Sequence, residues 1–343
     1  MDVSSIAVAI LNWNGQPLLE QFLAKVVADS GNAEIILIDN ASTDSSVAWL
    51  KSNHPSIRLI QLNDNSGYAG GYNEALKQID AEYVVLLNSD VETTEGWLEP
   101  LLERFTSDER IAAIQPKIRA YHDKGSFEYA GASGGFVDHL GYPFCRGRIF
   151  DHLEKDNGQY DDAMPVFWST GACLAVRNSA YKQVGGLDPQ FFAHMEEIDL
   201  CWRFMRHGYT NWVEPKSVVY HVGGGTLSSV SSKKTYLNFR NNLILLTKNL
   251  PTSKLFPTIL ARLVLDGMAG IQFILKGKMS HTVAILKAHF HFYGRYGKLM
   301  AARRGECFPW PLNGVYQKSI VRQVFMGGVK TFEQLDSKSF SRR

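Results

Sequence analysis

At 343 residues, with 45% hydrophobic and 20% charged residues, the chain is too apolar for a disordered segment and long enough for one large domain with an appendage, or two domains. Its four cysteines (Cys145, Cys173, Cys201, Cys307) are widely spaced and form no CxxC pair, which excludes a disulfide-stapled scaffold and points to a reducing compartment. The net charge of +2 conceals opposite halves: residues 233–343 carry 19 Lys+Arg against 4 Asp+Glu, and residues 1–232 carry 17 against 30.

The N-terminus opens on an acid and a short apolar run, so no cleaved signal peptide is expected. "SIAVAILNWNG", "AEIILIDNAS" and "EYVVLLNSD" are short β-branched apolar runs that end in Asn, Asp, Gly and Ser, and they predict buried strands that run into loops. Between them "QPLLEQFLAKVVAD", "TDSSVAWLKSN" and "GGYNEALKQI" have helical spacing, with Asp44 or Ser45 as an N-cap. This alternation predicts an α/β fold with a mostly parallel central sheet and helices on both faces. Ligands of such sheets sit at the carboxyl ends of the strands, where Asn12, Asp39 and Asp90 fall.

Residues 115–167 are irregular and rich in Gly and aromatics, and are expected to form loops and short strands over the sheet. "EEIDLCWRFMRHG" returns to helical spacing: Ile198, Cys201, Trp202 and Met205 make an apolar face, Asp199 can pair with Arg203, and Gly208 supplies the stop. Its first turn holds Glu196, Glu197 and Asp199 together. Such a cluster is either a solvated acidic first turn or a group that a cation, a hydrogen-bond network or a reaction uses.

Two further helical stretches follow residue 233. "LFPTILARLVLDGMAGIQFIL" is nearly long enough to span a bilayer but carries Arg262 and Asp266 in its middle. An amphipathic helix lying in the membrane interface, flanked by Lys254, Lys276 and Lys278, fits this composition, and a helical appendage packed on the core is the other reading. The basic surface is expected to meet an anionic membrane. No nucleic-acid motif accompanies it. His289 and His291 are expected at the surface.

The order NWN, IDNASTD, NSGYAGGYNEAL, LLNSD, STGACLAVR, GGLDPQFFAHMEEIDLCWR and HVGGGT resembles family 2 nucleotide-sugar glycosyltransferases of the GT-A fold, in particular the bacterial rhamnosyltransferase-like branch, over roughly residues 5–245. The resemblance implies a GT-A catalytic domain over 1–232, with a nucleotide-sugar half of about 1–115 and an acceptor half of about 116–232. A basic helical region over 233–343 would follow.

The resemblance also implies roles. "LLNSD" corresponds to the metal-binding DxD element, with Asn88 in place of the first Asp and Asp90 at the second; Asp90 and His221 would hold Mg²⁺ or Mn²⁺ with the donor diphosphate. Asp39 would accept from the base N–H of a uracil or thymine, with Asn12, Asn14 and Ser42 nearby, and Asn65, Gly67 and Asn73 would line the nucleotide loop. Thr226 and the glycines before it would order over the diphosphate. Glu197 stands where the family places its catalytic base, normally Asp, and the helix dipole is expected to keep it ionised; Glu196 would orient a loop or the acceptor.

The implied activity is metal-dependent inverting transfer from a UDP- or dTDP-sugar to a glycan or lipid-linked acceptor. It would serve cell-surface polysaccharide synthesis at the cytoplasmic face of a bacterial plasma membrane. Two other readings stay open. A catalytically inactive glycan- or membrane-binding scaffold would explain Asn88 and Glu197. A sugar-phosphate nucleotidyltransferase would share the sheet, but "LNWNGQPLL" lacks its basic Gly-rich loop.

Overall fold

The computed structural model describes residues 2–223, 231–303 and 309–342. The first half alternates β1 (Ile6–Asn12), α1 (Gln16–Asp29), β2 (Glu34–Asp39), α2 (Ser46–Asn53), β3 (Arg58–Gln61), α3 (Gly67–Leu76) and β4 (Tyr83–Asn88), with the four strands parallel. Both faces of these strands are covered, which is why they read as continuous apolar runs. Ala7, Ala9, Ile36, Ile38, Val84 and Leu86 enter one core cluster; Val8, Ile10, Leu37, Val85 and Leu87 enter a second, on the opposite face. The N-cap of α2 is Ser45, whose side chain makes no cap bond; Asp44 before it accepts from Ser46 N at 3.0 Å through Oδ1.

After β5 (Val91–Glu92) and α4 (Glu99–Ser107), β6 (Ile111–Ala120) enters the main sheet with Gln115 buried at its middle. The irregular stretch expected from residue 115 therefore begins inside a long strand. The excursion beyond it holds β7 (Gly135–Asp138), β8 (Pro143–Cys145), β9 (Arg148–Ile149) and β10 (His152–Leu153), which form a small second sheet. β11 (Met164–Val166), β12 (Cys173–Arg177), α5 (Asn178–Gln183), α6 (Glu196–Arg206) and β13 (Thr210–His221) return to the large one. Its path is β11-β13-β6-β12-β4-β1-β2-β3, with β5 beside β13. β12 runs antiparallel to both β4 and β6, so the parallel half ends at β4. α6 ends before Gly208, whose φ of +87° stops the helix.

The chain then builds α7 (Ser232–Asn249), α8 (Thr252–Leu275), α9 (Met279–Ala302), β14 (Val315–Tyr316) and α10 (Ile320–Phe325). A boundary at residue 232 does not separate two cores. Leu243, Ile244, Leu245 and Leu246 of α7 belong to the main core cluster, and β14 adds to the small sheet beside β7. The histidines of α9 are not simple surface residues: His289 Nε2 lies 3.1 Å from Asp266 Oδ2, His291 Nδ1 lies 2.7 Å from Tyr236 Oη, and His281 is buried.

Candidate active site

β1 and β2 end in register, with Asn12 opposite Asp39. The loop after β2 folds back over them. Asn12 Nδ2 donates to Ser42 Oγ at 3.3 Å, Ser42 N donates to Asp39 Oδ2 at 3.3 Å, and Asn14 N donates to Ser42 Oγ at 2.9 Å. Asn14 sits at φ +53° and its Oδ1 accepts from Thr43 N at 2.7 Å and Asp44 N at 3.2 Å. Asn12, Asn14, Asp39 and Ser42 therefore form one cluster. Within it Asn12 Oδ1 and Asp39 Oδ1 are buried with no partner. Buried orphan acceptors are rare and need an explanation; two side by side at strand ends are two positions from which a ligand N–H can be bound.

The Gly-rich turn is used differently from the expectation. Asn73 donates to Leu187 O at 2.7 Å and its Oδ1 accepts from Leu187 N at 3.0 Å and Tyr181 Oη at 2.7 Å, so it brackets protein to protein and is removed from the nucleotide cluster. Gly67, at φ +72°, faces Phe192: a Cβ there would stand 3.4 Å from Phe192 O. The close approach it permits is by the protein's own loop. Asn65 Oδ1 accepts from Asn40 Nδ2 and Gly67 N, both at 3.0 Å, which fixes the turn.

β4 ends at Asn88, whose N–H donates to Ala172 O at 3.0 Å. Two residues on, Asp90 is buried. β13 ends beside it, because His221 pairs in register with Val91 and Val222 N donates to Asp90 O at 3.1 Å. His221 Nε2 then lies 3.2 Å from Asp90 Oδ1, and its Nδ1 lies 3.3 Å from Glu128 Oε2. Although burial opposes it, the two carboxylates push the imidazole up to about 10. Asp90 is lowered: burial raises it, but the His221 contact outweighs that.

Among the described residues no group of three or more His, Cys, Asp or Glu has metal-holding geometry. Once a cation displaces the proton that Asp90 and Glu128 hold on His221, one carboxylate and one imidazole nitrogen fit a divalent cation that takes further oxygens from a diphosphate. Glu128 went unnoticed in the sequence because a lone Glu in "SFEYAG" belongs to no motif. Thr226 lies outside the described residues.

The acidic first turn of α6 is not solvated. Glu196 and Asp199 are buried, and Glu197 keeps only an edge in solvent. Asp199 is held well below the usual range because, against its burial, Lys248 and Arg203 bond Oδ2 at 2.9 and 2.8 Å while Asn249 bonds Oδ1 at 2.8 Å. It ties α6 to α7. The two glutamates behave oppositely. Burial pushes Glu197 up to about 7, partly offset by backbone N–H groups at the helix start, and burial plus the neighbouring Glu197 charge raises Glu196 well above its ordinary value. The expectation that the helix dipole keeps Glu197 firmly ionised is corrected: desolvation is the larger effect. Oε2 of each glutamate has no partner.

The loop before this turn is strained. Phe192, His194 and Met195 all have positive φ (67°, 68° and 74°), a region non-glycine residues avoid. Asn241 of α7 secures it: Nδ2 donates to Phe191 O at 3.0 Å, Ala193 O at 2.8 Å and His194 O at 2.7 Å. Across the cleft Tyr68 Oη donates to Gly171 O at 2.7 Å, and a Cβ on Gly171 would stand 3.8 Å from Glu197 Cβ. Gly171 adjoins Ala172, to which Asn88 is bonded. The Gly171–Ala172 segment therefore links Glu197 to the end of β4.

Comparison with known proteins shows the family and the fold. Residues 5–184 match the family described as Glycosyl transferase family 2. The chain is 30% identical over 235 residues to the N-acetylglucosaminyl-diphospho-decaprenol L-rhamnosyltransferase of Mycobacterium tuberculosis, covering 63% of this chain and 75% of that protein. It is 24% identical over 249 residues to the low-salt glycan biosynthesis hexosyltransferase Agl10 of Haloferax volcanii, covering 71% and 75%. Among solved structures, the mannosyltransferase PcManGT of Pyrobaculum calidifontis in complex with GDP-Man and Mn²⁺ superposes with a TM-score of 0.52 at 14% identity, over 84% of this chain and 87% of that one. GalNAc-T7 with UDP, GalNAc and Mn²⁺ superposes with a TM-score of 0.57 at 15% identity, over 73% and 48%.

Proposed function

The chain belongs to glycosyl transferase family 2, and on that premise we propose that it moves a sugar, with inversion, from a UDP- or dTDP-sugar to the hydroxyl of a lipid-linked glycan during bacterial cell-surface polysaccharide synthesis. Asp39 accepts from the base N–H through the oxygen that has no protein partner, beside Asn12. Asp90 and His221 would hold Mg²⁺ or Mn²⁺, which would supply positive charge to the leaving diphosphate. Glu197 takes the proton from the acceptor hydroxyl as that oxygen bonds to the anomeric carbon and the bond to the diphosphate breaks. The single displacement inverts the centre and needs no covalent sugar on the protein.

The observation that carries this reading is Glu197 itself. It is a mostly buried carboxyl pushed up to about 7, with one oxygen lacking a partner, close to Gly171 and so to the segment that the end of β4 bonds. A base with a pKa near the working pH is both available and strong enough to act. The lipid-linked acceptor is supported by the name of the mycobacterial relative and by the basic, apolar C-terminal helices, which would work at the inner face of the plasma membrane. The experiment is a panel of nucleotide sugars scored by thermal shift with Mn²⁺, followed by transfer to a diphospholipid-linked sugar. Stabilisation by one donor and product formation from it support the proposal; donor binding without transfer to any such acceptor would leave a scaffold.

A further inference from the structure

α8 and α9 form a hairpin, joined by a turn at Gly277 (φ +70°), whose polarity is inverted relative to a surface helix of a soluble protein. The charged pair in the middle of α8 faces inward. Arg262 and Asp266 are 3% and 1% exposed; Arg262 donates to Leu140 O at 3.2 Å and to Asn242 Oδ1, and lies 3.6 Å over the Tyr142 ring. Asp266 is met by His289, and Thr235 of α7 bonds His281 at 2.8 Å.

The apolar residues face outward. Phe256, Leu260, Val264, Met268, Ile271 and Leu275 recur every three or four residues along α8, and Phe256 and Leu275 are 74% and 83% exposed. Val283, Leu286, Phe290 and Tyr293 repeat the pattern on α9, with Phe290 72% exposed. An apolar surface of this extent on a soluble chain marks a place where something docks.

Charge identifies the occupant. Between residues 252 and 302 the only carboxylate is the buried Asp266, whereas Lys254, Lys276, Lys278, Lys287 and Lys298 are all exposed. A second copy seated on this face would bring lysines against lysines with no exposed carboxylate between them. α8 is long and apolar enough to cross a bilayer by length and composition. Its Arg262 is, however, bonded outside the hairpin to Leu140 and Asn242, while Asp266 meets His289 of α9, so the helix lies against the catalytic body.

We propose that the α8–α9 hairpin is a membrane-docking face that seats on an anionic lipid surface. Its apolar stripes enter the headgroup–acyl boundary and its lysines meet lipid phosphates. The proposal rests on the reading that the acceptor is membrane-held, and it adds the surface that brings the enzyme there. The same scaffold reaches the cleft: α7 beneath the hairpin carries Asn241, which holds the loop before Glu196, and Arg295 of α9 donates to Gln190 Oε1 of that loop at 3.1 Å.

The test is co-sedimentation of the full-length protein with phosphatidylcholine vesicles with and without phosphatidylglycerol, at low and high salt. It compares wild type, Phe256→Ser/Met268→Ser/Phe290→Ser and Lys276→Gln/Lys278→Gln. Wild type is expected to bind the anionic vesicles and to be partly released by salt. The apolar triple variant is expected to bind at least tenfold more weakly, and the lysine pair variant to lose most of the salt dependence, while both keep the wild-type thermal shift with the nucleotide sugar. Wild-type binding that the triple variant retains would overturn this face while leaving a membrane-held acceptor intact. No binding of wild type to either vesicle would overturn the docking face, whereas the acceptor reading falls only if no diphospholipid-linked sugar is glycosylated. A wild-type dimer in gel filtration that the triple variant dissociates, without vesicle binding, would assign the face to a second copy instead.

Discussion

Asn12 and Asp39 stand opposite each other at the ends of β1 and β2, and each keeps one buried oxygen that nothing in the protein bonds. An unfilled buried acceptor costs stability unless a ligand completes it, and one bond to a charged group is worth roughly 1.5–3 kcal/mol. Asp39→Ala should therefore weaken nucleotide-sugar binding by roughly 10- to 100-fold, by the same principle, in titration calorimetry. Unaltered affinity would take Asp39 out of the donor site.

The second prediction concerns the cation. Asp90→Ala removes the carboxylate 3.2 Å from His221, and nucleotide affinity in Mn²⁺ should fall to the value that wild type shows with chelator. If wild type binds equally well with and without chelator, the Asn88 substitution has produced a metal-independent site.

The third concerns the strained loop. Asn241 Nδ2 reaches three carbonyls of residues 191–194, so Asn241→Ala takes this donor from Ala193 O and His194 O, while Phe191 O keeps Arg240, and loosens a loop with three residues at positive φ. We expect kcat to fall at least tenfold with donor affinity little changed, because the donor cluster at β1 and β2 is untouched. An affinity loss with kcat preserved would contradict a positioning role for Asn241.

The fold was largely legible in the sequence because each buried parallel strand is an apolar run that breaks at a polar residue, and those breaks are the site floor. Asn73 shows where this stops: a motif gives a residue's place in the chain but not the direction of its side chain, and this one points at Leu187. Glu128 and Asn241 were missed because each is brought in by tertiary packing and stands in no local pattern. The error over Glu197 has a different cause. The helix-dipole argument needs only the helix start, whereas the opposing desolvation depends on what covers it. The α9 histidines were misread likewise, since a surface expectation cannot foresee the partners that packing brings to them.

The fourth prediction separates stability from activity. A carboxyl whose pKa is raised on folding holds its proton more tightly folded than unfolded, so the fold loses stability as pH rises through that raised value. Glu196 is such a group, raised by burial and by Glu197. Glu196→Gln should therefore raise the melting temperature at pH 8 and leave it nearly unchanged at pH 5, where the wild-type carboxyl is already neutral. An equal effect at both pH values would mean that Glu196 is not the strained member of the pair.

The most direct test of the account is the pH profile of transfer by wild type and Glu197→Gln at saturating donor and Mn²⁺. A base must be ionised to accept a proton, so wild-type kcat should rise with pH through a midpoint near 7, the value to which burial pushes Glu197. Glu197→Gln should bind donor normally, lose roughly 10²- to 10⁴-fold in kcat, and show no limb near 7. A Gln variant that turns over at close to the wild-type rate, with the same limb, would contradict the assignment of Glu197 as the base.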